Sequence, residues 1–202
     1  MEGFRKRNYG RCANIVCLNR GVHLTLVCPT CLGQGTGSVH GHVFREAAMG
    51  LTYEFPQKFS PRVESEIPSR DPTGRERMIL TLWDTPELNG QPRMAFLYDT
   101  KQRSSDRTHD TIALAYIGEI KRAWLGVKDG RIVGPTKVSE PTYDYWRLDL
   151  SAPDQVPRYN STIVITLSDR RVLAIKASAP SQSELDREVD SLAQVRFDKS
   201  QK

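Results

Sequence analysis

Cysteine is missing from the chain after residue 31. Any thiol chemistry, whether nucleophile, disulfide or metal ligand, is therefore confined to the opening segment. A GxSxG elbow, an HExxH pair and a Walker loop are also missing, which removes the sequence signatures of serine hydrolases, zincins and P-loop NTPases. No apolar run approaches the roughly 18 residues of a membrane span. No hydrophobic signal segment is visible, so a reducing, cytoplasmic setting is expected, where disulfides are rare. With 38% hydrophobic and 26% charged residues in 202, the chain can build one moderate domain plus a small module.

All four cysteines, Cys12, Cys17, Cys28 and Cys31, lie within twenty residues. They form two pairs, Cys12-x4-Cys17 and Cys28-x2-Cys31, with ten residues between. Tetrahedral zinc needs four ligands converging on one point, and two short cysteine turns facing across a hairpin supply that. Asn19 and Gly21 suit the turn, and Val22, Leu24 and Leu26 alternate as a strand returning to the second pair. Pro29 suits a tight turn whose amides point at thiolate sulfur. Zinc is the expected cofactor. An iron–sulfur cluster, disulfides and unrelated thiols are the alternatives, and His23 is a spare ligand for the wide first pair.

Cys28-Pro29-Thr30-Cys31-Leu32-Gly33-Gln34-Gly35 resembles the CxxCxGxG repeat of the cysteine-rich zinc domain of DnaJ-type co-chaperones. The stretch from Cys12 to Gly21 is similar to the same repeat with a longer knuckle and Asn19 in place of the first glycine. Zinc ribbons of transcription and nucleic-acid proteins are comparably similar in outline. The resemblance covers residues 9–37 and implies a metal site.

Charge is unevenly spread. Residues 1–62 hold eight Lys/Arg against three acids, and residues 63–202 hold equal numbers of each sign. The whole net charge of +5 therefore belongs to the cysteine-bearing part. A basic arm of Arg5, Lys6, Arg7 and Arg11, with Arg20 near the hairpin turn, can neutralise phosphates and release counterions. Phe4 and Tyr9 flank it and can stack on unpaired bases. The same cations could instead balance four thiolates on one zinc ion, or meet an acidic protein surface.

Beyond Gly33, Gly35 and Gly37 come His40 and His42, with Glu46 four residues later; they match no familiar catalytic metal set and are expected to be surface histidines. The stretch from Val43 to Met49 reads as a short helix stopped by Gly50. Four prolines and no periodicity mark residues 56–77 as a linker, although Phe59, Val63 and Ile67 are apolar enough to dock. The expected division is a zinc-binding basic module over 1–55, the linker, and an antiparallel β domain over 78–202.

Within that domain, strands are expected at 78–84, 94–99, 111–118, 120–127 and 143–150, with Gly118 as a bulge. Lys128-Asp129-Gly130-Arg131 is a turn signal. The clearest hairpin runs from Thr162 to Ala177 about Asp169-Arg170, with Ile163, Ile165, Leu167, Leu173 and Ile175 sharing a face. Ser181-x-x-Glu184 is a capping box, opening a helix with Leu185, Val189, Leu192 and Arg196 or Phe197 on one stripe. The fold class is therefore α+β, mainly β: an antiparallel barrel or sandwich capped by a C-terminal helix. Residues 111–197 are similar in element pattern to bacterial pleckstrin-homology-like domains, which implies binding or scaffolding without catalysis.

Only His109-Asp110, beside Ser104, Ser105 and Asp106, brings acid–base ingredients together, and such polar loops are usually just solvated. Trp83, Trp124 and Trp146 read as core or half-buried strand residues. The expected function is a non-enzymatic zinc-binding adaptor that contacts nucleic acid or a nucleoprotein complex through the basic module, with a protein partner as well. A protein-binding regulator or assembly factor with purely structural zinc is one alternative, and a metal-dependent hydrolase or nuclease is another.

Overall fold

The central strands of the larger sheet are apolar on both faces, and that pattern dictates the architecture. In β6 (Met94–Asp99) all six residues are buried. Met94, Phe96 and Tyr98 enter one core, while Ala95 and Leu97 enter another. The neighbouring β9 (Tyr159–Ser168) and β10 (Arg171–Ala179) divide likewise, with Ile163, Ile165, Leu173 and Ile175 on one side and Val164, Val172 and Ala174 on the other. A sheet with two apolar faces must be covered twice.

The computed structural model describes residues 37–63, 76–84, 91–99, 108–168 and 171–198. Seven strands make the larger antiparallel sheet in the order β4 (Phe59–Val63), β5 (Glu76–Asp84), β6, β10, β9, β8 (Asp144–Ser151), β7 (Arg131–Ser139). The smaller sheet runs β1 (Ser38–His40), β2 (Val43–Glu46), β3 (Leu51–Glu54), β11 (Val195–Phe197). Helix α1 (His109–Trp124) covers one face of the larger sheet through Ile112, Ala113, Tyr116 and Ile117. The smaller sheet and α2 (Gln182–Asp190) cover the other, sharing one core with Phe44, Tyr53, Leu185 and Val189. Emptying a site such as Phe44, which has no exposed surface, would cost about 3–5 kcal/mol.

This is an α+β fold, mainly antiparallel β, with the larger sheet open rather than closed into a barrel. The hairpin of β9 and β10 falls where its alternation places it, with Ile163 opposite Ile175 and Ile165 opposite Leu173. The N-cap half of the expected capping box is present: Ser181 Oγ accepts from Glu184 N at 3.3 Å, while the Glu184 carboxylate accepts from Arg93.

Three expectations give way. The two strands expected over 111–127 are one helix, capped by Thr108, whose Oγ1 accepts from Thr111 N at 3.3 Å. Residues 43–49 are a strand followed by one 3-10 turn at Ala47–Met49, because Phe44 is needed in the core at a strand position. Gly50 does end that turn, in the left-handed conformation at φ 60°. The helix after Ser181 stops at Asp190 and passes through a 3-10 turn, Ser191–Gln194, into β11, so Arg196 and Phe197 lie on a strand.

The division at 55 also changes, as does the expected linker at 56–63 and 76–77, while its residues 64–75 lie outside the described residues. Gly35–Lys202 is one compact unit. Tyr53 of β3 pairs with Val195 of β11, and Phe55 and Phe59 are buried in the same core as Ile79. Apolar residues on 38–55 therefore complete the second cover, and 59–63 join the larger sheet as β4, instead of forming a separate module and linker. The four-cysteine segment and the basic arm lie outside the described residues.

Candidate recognition cleft

At one end of the larger sheet, the start of α1, the β7–β8 turn, the ends of β9 and β10, and Phe197-Asp198 surround a cleft of about 910 Å³. The start of α1 is held there by β9, since the His109 carbonyl accepts from Thr166 Oγ1 at 3.0 Å. Thr108 as N-cap puts Asp110 in the first turn, where a carboxylate also opposes the positive helix end. Its Oδ1 accepts from Trp146 Nε1 at 3.0 Å, and its Oδ2 from Lys137 Nζ at 2.9 Å. Lys137 also lies 3.7 Å from Asp144 Oδ2.

These contacts set the electrostatics. The hydrogen bond from Lys137, then that from Trp146, holds the Asp110 carboxyl below its ordinary value. The hydrogen bond to Asp110 holds the Lys137 ammonium above its ordinary value, and partial desolvation opposes this without reversing it. Both groups therefore stay charged near neutrality. The aromatic wall is fixed as well: Tyr143 OH donates to the Leu192 carbonyl at 2.6 Å, and its ring meets Phe197 edge-on with centroids 5.6 Å apart. Burial pushes the Tyr143 hydroxyl well above its usual value, so it stays protonated.

A second polar cluster fastens α2 to the sheet. Arg93 precedes β6, where its N–H donates to the Leu82 carbonyl and its own carbonyl accepts from Ser178 N, each at 2.8 Å. Its Nη2 donates to Glu188 Oε1 at 2.7 Å and to Glu184 Oε2 at 2.8 Å, and its Nε reaches Glu188 Oε1 at 3.1 Å. Asp84 Oδ2 is 3.5 Å from that Nε, and Lys58 Nζ is 3.7 Å from Glu188 Oε1. Glu188 is 1% exposed, and its Oε2 has no hydrogen-bond partner among the described residues. Burial raises its carboxyl to about 7, outweighing the pull of Arg93 and Lys58. Arg147 makes a parallel tie, to Asp149 at 2.9 Å and Asp186 at 3.0 Å.

The sequence-derived candidates divide in two. Cys12, Cys17, Cys28 and Cys31 as zinc ligands, and Arg5, Lys6, Arg7, Arg11 and Arg20 as the basic surface, lie outside the described residues, as do Ser104, Ser105 and Asp106. His40 and His42 sit at the β1–β2 turn, with the His42 ring edge-on to Phe55 at 5.6 Å. Among the described residues no three of His, Cys, Asp and Glu gather as a metal site, and no helix is long and apolar enough to cross a membrane. The partners of Asp110 were not legible in the sequence, because Lys137 and Trp146 stand 27 and 36 residues away.

Fold and cleft together define an open antiparallel α+β sandwich with a helix on one face and a small sheet plus a helix on the other. No protein-family model and no curated protein matches the chain. Among solved structures it is similar to the cyanobacterial PsbP (CyanoP) of Synechocystis sp. PCC 6803. The TM-score is 0.50 at 14% identity, over 83% of this chain and 99% of that one. At that identity the likeness is one of fold.

Proposed function

We propose that this chain is a non-enzymatic adaptor whose β module receives a protein partner in the cleft built on Asp110, Lys137 and Trp146. One observation carries the reading: Asp110 is tied to both Lys137 and Trp146, and the Asp110–Lys137 pair is held in its charged form. Asp110 is held low and Lys137 high, whereas general acids and bases need values drawn toward the working pH. A half-buried indole beside a fixed ion pair is instead the composition of a recognition surface, where aromatic anchors carry most of the affinity.

Site-specific photo-crosslinking tests this. A photoreactive residue at exposed Thr142, on the rim, is expected to capture a discrete partner, and the same residue at exposed Lys121, near the other end of α1, is not. Equal capture from both positions would remove the cleft from the account.

The second reading concerns the opening segment and rests on the clustering of its cysteines and of the net charge. Cys12, Cys17, Cys28 and Cys31 hold one structural zinc, and Arg5, Lys6, Arg7, Arg11 and Arg20 contact nucleic acid or a nucleoprotein complex. Zinc at one equivalent per chain, and binding to DNA or RNA whose salt dependence flattens when Arg5, Lys6, Arg7 and Arg11 become Ala, is the expected result. Zinc well below one equivalent would end this reading without touching the cleft.

A further inference from the structure

The two most exposed large apolar side chains among the described residues are Leu125, 69% exposed, and Val156, 71% exposed. Leu125 opens the turn between α1 and β7, and Val156 sits in the turn between β8 and β9. Strand register brings these turns together. Arg131, which begins β7, pairs with Ser151 at the end of β8, and Ser151 pairs with Tyr159 at the start of β9. The two turns therefore meet the sheet at the same end, one or two strand spacings apart, about 5–10 Å. Both are well defined: Gly130 N donates to the Val127 carbonyl at 3.2 Å, and Ala152 N to the Arg158 carbonyl at 2.8 Å.

Charge follows the same pattern. Lys121–Arg131 and Ala152–Arg158 together carry Lys121, Arg122, Lys128, Arg131 and Arg158 against Asp129 and Asp154. All five cations are exposed, in a part of the chain whose two signs balance overall. Lys121 and Arg122 sit in the last turn of α1, where they also complement the helix dipole. That explanation does not extend to Lys128, Arg131 or Arg158, which lie outside the helix.

We propose that this end of the module docks on an anionic lipid surface, with Leu125 and Val156 entering the interfacial layer and the five cations facing the headgroups. Shape decides between partners. The edge strand β7 begins at this end and could take an added strand, but the two most exposed apolar side chains stand on the turn tips and not along that edge. Such tips fit a plane that yields to them, and flanking cations add affinity for anionic lipid. The recognition cleft lies at the opposite end of α1, about 24 Å away along a sixteen-residue helix. A docked module would therefore turn that cleft outward.

The test is flotation of the full chain with vesicles of phosphatidylcholine alone or mixed with phosphatidylserine. Arg5, Lys6, Arg7 and Arg11 are changed to Ala throughout, so that the basic arm does not contribute. Binding to the mixed vesicles only is expected, falling about tenfold when Leu125→Ser is combined with Val156→Ser. A similar fall is expected when Lys121→Glu is combined with Arg122→Glu. Lys128→Ala with Arg158→Ala gives a third reading outside the helix, and an unchanged thermal midpoint confirms that each variant is folded. Equal recovery with both vesicle types, no flotation, or indifference to all three pairs would overturn the proposal. Binding through these residues to an acidic protein or nucleic acid but not to vesicles would do so too.

Discussion

Glu188→Gln gives the sharpest test of how the module is fastened. The Glu188 carboxyl is buried between α2 and the sheet, facing Arg93 and Lys58 as cations and Glu184 and Asp84 as anions. Its value rises from 4.5 to about 7, with burial the largest cause. The folded protein therefore binds a proton there that the unfolded chain has already released. Stability from this group is fully present below about pH 4.5 and is lost as the pH rises through about 7. At roughly 1.4 kcal/mol per pH unit, the loss is about 3 kcal/mol. Glutamine keeps the shape of the protonated acid and cannot ionise. In urea titrations, wild type and variant should match at low pH, and the variant should gain about 3 kcal/mol relative to wild type near pH 8. In a chain of this size that is a rise in Tm of about 6–12 °C. A variant that is less stable than wild type at high pH would show that Arg93 outweighs burial, and the reasoning would fail.

Two further perturbations probe other joints. Gly134 has φ 101°, and a Cβ there would come within 2.7 Å of the Arg147 carbonyl oxygen. Gly134→Ala should therefore cost about 2 kcal/mol or more, and an unchanged urea midpoint would refute the argument. Asp110→Asn removes the ion pair with Lys137 but keeps an acceptor for Trp146. The pair is exposed and screened by solvent, so the loss of stability should be small. Because the Asp110 carboxyl is held low, the difference from wild type should fade as the pH falls below the ordinary carboxylate range. A difference that persists in acid would point to packing instead.

Local signals carried part of the fold. The β9–β10 hairpin was legible because Ile163, Ile165, Leu173 and Ile175 alternate cleanly about a two-residue turn, and α2 because Ser181 and Glu184 have capping spacing. Helix α1 was not. Its β-branched and aromatic residues, Thr111, Ile112, Tyr116, Ile117 and Ile120, favour strands by propensity, and Gly118 imitates a bulge. The contrary signal was present in Ile112, Tyr116, Ile120 and Trp124, four residues apart on one helix face. Tertiary demand decided residues 38–55, since among the described residues these strands, with β11 and α2, cover the second apolar face of the larger sheet. The cleft depends on pairings across long sequence separations, and His109-Asp110 was visible only as a polar pair in a loop.

The central claim is that the cleft recognises a partner. The most direct measurement is the Kd of the crosslinked partner, once purified, for wild type, Trp146→Ala and Leu125→Ser. A folded Trp146→Ala should weaken binding by at least about 2 kcal/mol, roughly thirtyfold, while Leu125→Ser, at the far end, should leave it unchanged. Equal affinity for wild type and Trp146→Ala would contradict the account.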